Sequence, residues 1–149
     1  MGADLYISTL YEKQRAEWQP QFEAAARWRD SLKAGSKEYR KAQARVEKCY
    51  EKMFEQGYFR DPYNDSDLLW KFGLSWWQDV VPMLDKKGRL AVEQAQNLLE
   101  RLEEREGVFE AKLAQLPAKE QQYFRHRYTS LQNFLNQAIE LDAPIEASL

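Results

Sequence analysis

Cysteine and histidine each occur once in these 149 residues, as Cys49 and His126, and that scarcity removes several classes of chemistry. A lone thiol forms no internal disulfide and no multi-cysteine metal site, and it suits a reducing compartment, so the cytoplasm is the expected location. A lone imidazole, set between Arg125 and Arg127, gives neither an HExxH helix nor a paired-histidine site, and no Ser-His-Asp order can be assembled around it. A glycine-rich phosphate loop is missing as well. Neither a metal nor a cofactor is expected.

Glycine and proline are scarce too, at six and five residues, which leaves few tight turns and favours helices over a strand-rich fold. No apolar run approaches the ~18 residues of a membrane-spanning helix, and the opening MGADLYISTL lacks the basic and apolar regions of a signal peptide. No membrane association is expected. Excess charge of one sign is also lacking: 24 acids against 22 bases leave −2, too little to draw the molecule as a whole to nucleic acid or an anionic surface. With 44% hydrophobic and 31% charged residues, the composition is that of a globular chain with one core.

What the chain has is helical periodicity. Residues 1–10 read as an N-terminal arm or a short isolated strand. Over 11–34 the apolar positions Trp18, Phe22, Ala25, Ala26 and Leu32 recur at helical spacing, with Pro20 as a kink or the start of the main part. Gly35 and Ser36 break that helix, and Ser36 is the expected N-cap of a second one over about 37–56, which carries Tyr39, Ala42, Val46, Tyr50 and Met53 on one face and ends at Gly57. Two helices joined by so short a break predict an antiparallel hairpin.

Beyond it, 66–72 forms about two turns, and Ser75-Trp76-Trp77-Gln78 has the form of a capping box. The stretch 69–84 is apolar on all sides and is expected to be buried. A helix over about 90–106, with Ala91, Ala95, Leu98 and Leu102 inward, ends at Gly107. A last one runs from Pro117 to about 141 on a stripe of Phe124, Tyr128, Leu131, Leu135 and Ala138, and 142–149 is a tail. The expected fold is a single all-α domain over 1–149: a helical bundle with a long N-terminal helix hairpin and a buried, Trp-rich central segment.

The most distinctive chemistry lies in residues 57–82, GYFRDPYNDSDLLWKFGLSWWQDVVP. A loop bearing Arg60, Asp61, Tyr63, Asn64, Asp65 and Asp67 next to an aromatic mass concentrates hydrogen-bonding groups near low dielectric, where charge pairs strengthen. The bland alternative is that Arg60 pairs Asp61 or a helix end, while Asn64 or Ser66 caps the next helix. A calcium loop does not fit, because Tyr63 stands at its third position and Ser66 at its required glycine. As a binding site, the region offers Arg60 as anion anchor, Tyr58, Tyr63 and Asn64 as hydrogen-bond formers, Trp76 and Trp77 as apolar walls, and Asp61 or Asp79 as a base. On the second helix Lys41, Arg45, Lys48 and Lys52 fall within about 60° of one another, a possible anion-binding face diluted by Glu47, Glu51 and Glu55.

Through Met1 to Tyr6, Gly57 to Asn64 and Gly73 to Trp77, the chain resembles small bacterial helical proteins that have no assigned activity. The resemblance implies a stand-alone cytoplasmic protein and transfers no catalytic residue. Because the signals are surfaces and caps rather than a nucleophile, base or metal set, the leading expectation is a non-enzymatic interaction module with a protein partner or a second copy of itself. A small-molecule site near 57–79 is the alternative, and nucleic-acid binding through the basic face is a weaker third.

Overall fold

The computed structural model describes residues 1–149, and they separate into two compact units, Ser8–Tyr58 and the remainder, Met1–Ile7 with Phe59–Leu149. The expectation of a purely all-α fold is corrected. Helices dominate, but the larger unit also holds a four-stranded sheet in the order β2-β1-β4-β3, made of β1 (Gly2–Tyr6), β2 (Tyr58–Pro62), β3 (Arg89–Leu90) and β4 (Ile145–Ser148). Leu5 pairs with Ala147 and Leu90 with Ile145, both antiparallel. The Tyr63 amide donates to the Met1 carbonyl while Arg60 reaches Asp4, which sets β2 antiparallel to β1 as well.

The expected arm and tail are thus the two central strands of a sheet. Alternation explains their burial: Ala3 and Leu5 on β1, Phe59 and Asp61 on β2, Leu90 on β3 and Ile145 on β4 are sealed, whereas the residues between them face outward. Tight pairing has a steric condition at Gly2. A Cβ there would lie 2.8 Å from the Asp61 carbonyl oxygen.

In the smaller unit, α1 (Ser8–Asp30) runs through Pro20 and α2 (Lys37–Met53) returns beside it, so the hairpin forms as the periodicity requires. Ser36 caps α2, its hydroxyl accepting from the Tyr39 amide at 3.1 Å, and Gly35 makes the turn at φ +83. Ala42, Val46, Cys49 and Met53 are buried, but Tyr50 is exposed. Tyr50 instead joins a run of ring contacts that links Phe22, Tyr50, Phe54, Tyr11 and Tyr58 at centroid separations of 5.0 to 6.1 Å.

The larger unit adds α3 (Leu68–Lys71), α4 (Val92–Glu104), α5 (Glu106–Leu113) and α6 (Ala118–Glu140). Gly107 does not end the fourth helix, as was expected, but lies in the first turn of α5, after a break at Arg105. The stripe expected on the last helix, Phe124, Tyr128, Leu131, Leu135 and Ala138, is buried throughout. Three rings lock α3, α5 and α6 together: Phe72 and Phe109 stack at 4.3 Å, and Tyr128 meets both edge-on. α5 was not anticipated, yet it supplies one of those rings.

Because Ile145 is fully buried between β1 and β3, truncating Ile145→Ala is expected to cost about 2–4 kcal/mol by urea denaturation, in the range of core Ile→Ala changes. A fraying tail would show no change in midpoint.

Candidate functional site

Arg60 and Asp61 are neighbours in sequence but point to opposite faces of β2, so they do not pair. Arg60 turns outward, and its guanidinium grips both Asp4 oxygens at 2.7 and 2.8 Å. It is thereby engaged on the sheet surface and is not the open anion anchor proposed from the sequence.

Asp61 turns inward and is completely buried. Its carboxylate accepts from the Leu68 amide at 2.8 and 3.1 Å, the Leu69 amide at 3.2 Å, the Trp76 indole N–H at 2.8 Å and Arg127 Nη2 at 3.1 Å. A buried carboxylate needs such a set of donors to hold its charge. Arg127, on α6, also donates to the Arg60 carbonyl, and its guanidinium carbon sits 4.8 Å from the centre of the Phe59 ring. Asp61 therefore ties β2 to α3, to Trp76 and to α6, and has no oxygen facing solvent. It is unsuited to act as a base.

Those bonds fix the start of α3, and cations fix its end. Lys112 Nζ donates to the Trp70 carbonyl at 2.8 Å, and Arg105 Nε to the Phe72 carbonyl at 2.6 Å. Gly73, at φ +70, closes the helix: its amide bonds to Trp70 and that of Leu74 reaches back to the Leu69 carbonyl. A side chain at Gly73 would meet Arg105 at 2.7 Å. Next, Ser75 caps a π-helical turn, Trp76–Val80, accepting from the Gln78 amide at 3.4 Å. The return bond of the expected capping box is accepted by Asp79 rather than Gln78, from the Ser75 amide at 2.8 Å.

The outcome is that the three tryptophans part company. Trp76 is buried on Asp61, whereas Trp70 is 62% and Trp77 56% exposed, against the expectation that the whole segment is core. The two open indoles stand at a cleft of about 580 Å³ lined also by Tyr63, Asn64, Asp65, Asp67 and Lys71. That volume is in the range of small-molecule sites. Tyr63 and Trp77 approach with ring centroids 6.3 Å apart.

Polar groups here are only partly satisfied. Asn64 accepts from the Ser66 amide at 2.7 Å, an Asx turn, and Asp67 is the actual N-cap of α3, accepting from the Trp70 amide at 3.1 Å. The Tyr63 hydroxyl is buried with no hydrogen-bond partner, and the same holds for Arg127 Nε. Burial, and after it the negative charges of Asp67 and Asp61, raise the Tyr63 pKa, so the phenol keeps its proton. Burial is also the main cause that pushes Asp67 up to about 6, with the Asp61 carboxylate second.

Other sequence candidates lie elsewhere. Tyr58 belongs to the ring contacts of the hairpin. Asp79 is held below the usual carboxylate range by the Ser75 amide and by Arg101, its partner at 2.9 Å, so it stays an ion and is a poor base. Of the basic face, Arg45 donates to Gln21 at 2.9 Å beside the Trp18 ring, and Lys52 pairs with Glu55 at 2.9 Å, while Lys41 and Lys48 are exposed. His126 is exposed on α6. No group of three or more His, Cys, Asp or Glu side chains is gathered in metal-binding array, and no helix is long and apolar enough to cross a membrane.

Neither a protein-family model, a curated protein nor a solved structure matches the chain. The site stands on its geometry alone. Of its lining, Tyr63, Asn64 and Trp77 were named as binding candidates and Asp65 and Asp67 belonged to the same polar run; Trp70 was expected in the core and Lys71 was not singled out. Asp67 carried a visible signal, as a helix-capping residue type directly before Leu68-Leu69, whereas nothing in the sequence marks Arg127 as the partner of Asp61.

Replacing Asp61 by Ala leaves two amides, an indole N–H and a guanidinium without their acceptor, and is expected to cost about 3–5 kcal/mol or abolish folding, read by thermal melting and urea titration. A second expectation concerns pH. Asp67 binds its proton more tightly folded than unfolded, so its ionisation erodes stability as pH rises from about 4 to about 6. Asp67→Asn keeps a capping oxygen and removes that penalty. It is expected to stabilise by about 1 kcal/mol at pH 7.5, reduced by the half-exposure of the group, and by nothing at pH 4. Equal effects at both pH values would refute the assignment.

Proposed function

We propose that this protein binds a small molecule in the cleft between Trp70 and Trp77. One observation carries the reading: Tyr63, whose hydroxyl is buried and unpartnered, lines a cleft walled by two exposed indoles. An orphaned buried polar atom needs an explanation, and a bound ligand supplies one. Large aromatic rings held open to solvent have the same implication. The combination of apolar walls and a few polar groups is typical of small-molecule sites.

Binding rather than catalysis is proposed. Asp61 is occupied by its four donor groups, Asp79 is paired, and His126 lies on α6 outside the cleft lining. Cytoplasmic residence belongs to the same proposal, supported by the single buried and unpaired Cys49. A second reading, contact with a protein partner, is favoured by a separate feature: Trp28 and Tyr50 are exposed on the hairpin, each beside a shallow apolar groove.

A thermal-shift screen of small metabolites, followed by tryptophan fluorescence titration, tests the ligand reading. A binder is expected to raise the melting temperature of the wild type and not that of Trp77→Ala. If every binder acts equally on both, the cleft is not the site.

A further inference from the structure

The lining of the cleft carries a net negative charge. Its two carboxylates, Asp65 and Asp67, are accompanied by one cation, Lys71, whose ammonium sits 4.9 Å from the centre of the Phe124 ring. The carboxamide oxygen of Asn64 is already turned to the Ser66 amide. The faces of the Tyr63, Trp70 and Trp77 rings carry the negative lobe of their quadrupoles, which attracts cations and repels anions. Trp70 already shows that preference, since Lys112 Nζ lies 5.6 Å from its ring centre.

We propose, building on the reading of the cleft as a ligand site, that it takes a small organic ammonium cation. An N–H of the ligand donates to the orphaned Tyr63 oxygen, the Asp67 and Asp65 carboxylates balance its charge, and its alkyl body lies against the indoles of Trp77 and Trp70. An anion would meet two carboxylates and three ring faces of like sign. A neutral polyol would find hydrogen bonds but leave the negative charge uncompensated.

A cation also answers the electrostatic condition of Asp67, whose ionisation is opposed by burial and by Asp61. The charged and titratable groups near it are Asp61, Tyr63, Asp65 and Lys71, with Arg127 on Asp61. The Arg60–Asp4 pair lies on the outer face of the sheet. Arg127 is committed to Asp61, Lys71 to Phe124 and Lys112 to the carbonyl and ring of Trp70, so a ligand cation would supply a further counter-charge.

The test is calorimetric titration at low salt with 1,4-diaminobutane, alongside butane-1,4-diol as its neutral isostere, sodium butyrate as an anion, and glucose as a polyol. The diamine alone is expected to bind, about tenfold more tightly at pH 7 than at pH 5 as Asp67 ionises through about 6. Asp67→Asn, which keeps the helix cap, is expected to remove that pH dependence. Tyr63→Phe is expected to weaken binding by roughly five- to tenfold. Equal or tighter binding of the diol, the sugar or butyrate overturns the cationic class but leaves the ligand site standing. Diamine binding unchanged in both Asp67→Asn and Trp77→Ala places the cation elsewhere and also overturns the proposal. If no probe binds while the screen yields a Trp77-dependent ligand of another class, the proposal fails alone. If none is found by either route, both readings fail.

Discussion

A single carboxylate organises the larger unit. Asp61 is carried by the sheet to the point where α3, the π-helical turn and α6 converge, and each of those three presents a donor to it. Moving a carboxylate out of water is costly, and only a near-complete ring of donors keeps it there. The cost has a structural return: each donor has one place to be. The amides of Leu68 and Leu69 define where α3 begins, the Trp76 indole defines how the next turn is rotated, and Arg127 sets α6 against Phe59. An apolar residue at this point would tolerate sliding, because dispersion contacts are not directional.

The cleft follows from that fixation. A four-residue helix has little stability of its own, since nucleation consumes most of what its few bonds supply. Here Asp61 and Asp67 hold one end of α3, while Lys112, Arg105 and the Gly73 turn hold the other. Trp70 is thus presented to solvent from a rigid base, and Trp77 from a turn anchored by its buried neighbour Trp76. Exposed indoles on fixed backbone have little conformational entropy left to lose when something covers them.

Much of the helical content could be read from the sequence because its causes are local. Ser36, Gly35 and Ser75 act through bonds that span three or four residues, and the stripe of α6 repeats over about four turns. The sheet could not be read this way. Its strands are two to five residues long and lie far apart along the chain, so no window contains more than one of them. The tryptophan spacing misled for a different reason. Reading 69–84 as apolar on all sides assumes regular helical turns, but Gly73 takes the chain out of α3 at φ +70 and the π turn is wider than an α turn, so Trp77 rotates outward. The candidate site was legible as a region and not as a set of roles. Whether an aspartate is a base, a cap or a buried anchor depends on donors brought in from distant elements, Arg127 above all.

The order of the strands bears on how the chain comes off the ribosome. β1 is made first and β4 last, yet they are adjacent at the centre of the sheet, where Asp4 pairs with Ser148. Until β4 emerges, β1 has an open edge along the side that β4 will occupy, and its buried residues Ala3 and Leu5 lack that neighbour. The helix hairpin, whose contacts are short in sequence, is free to form early, while completion of the sheet waits for β4. Aggregation during translation would therefore be concentrated at β1, a segment that is well protected once β4 is paired to it.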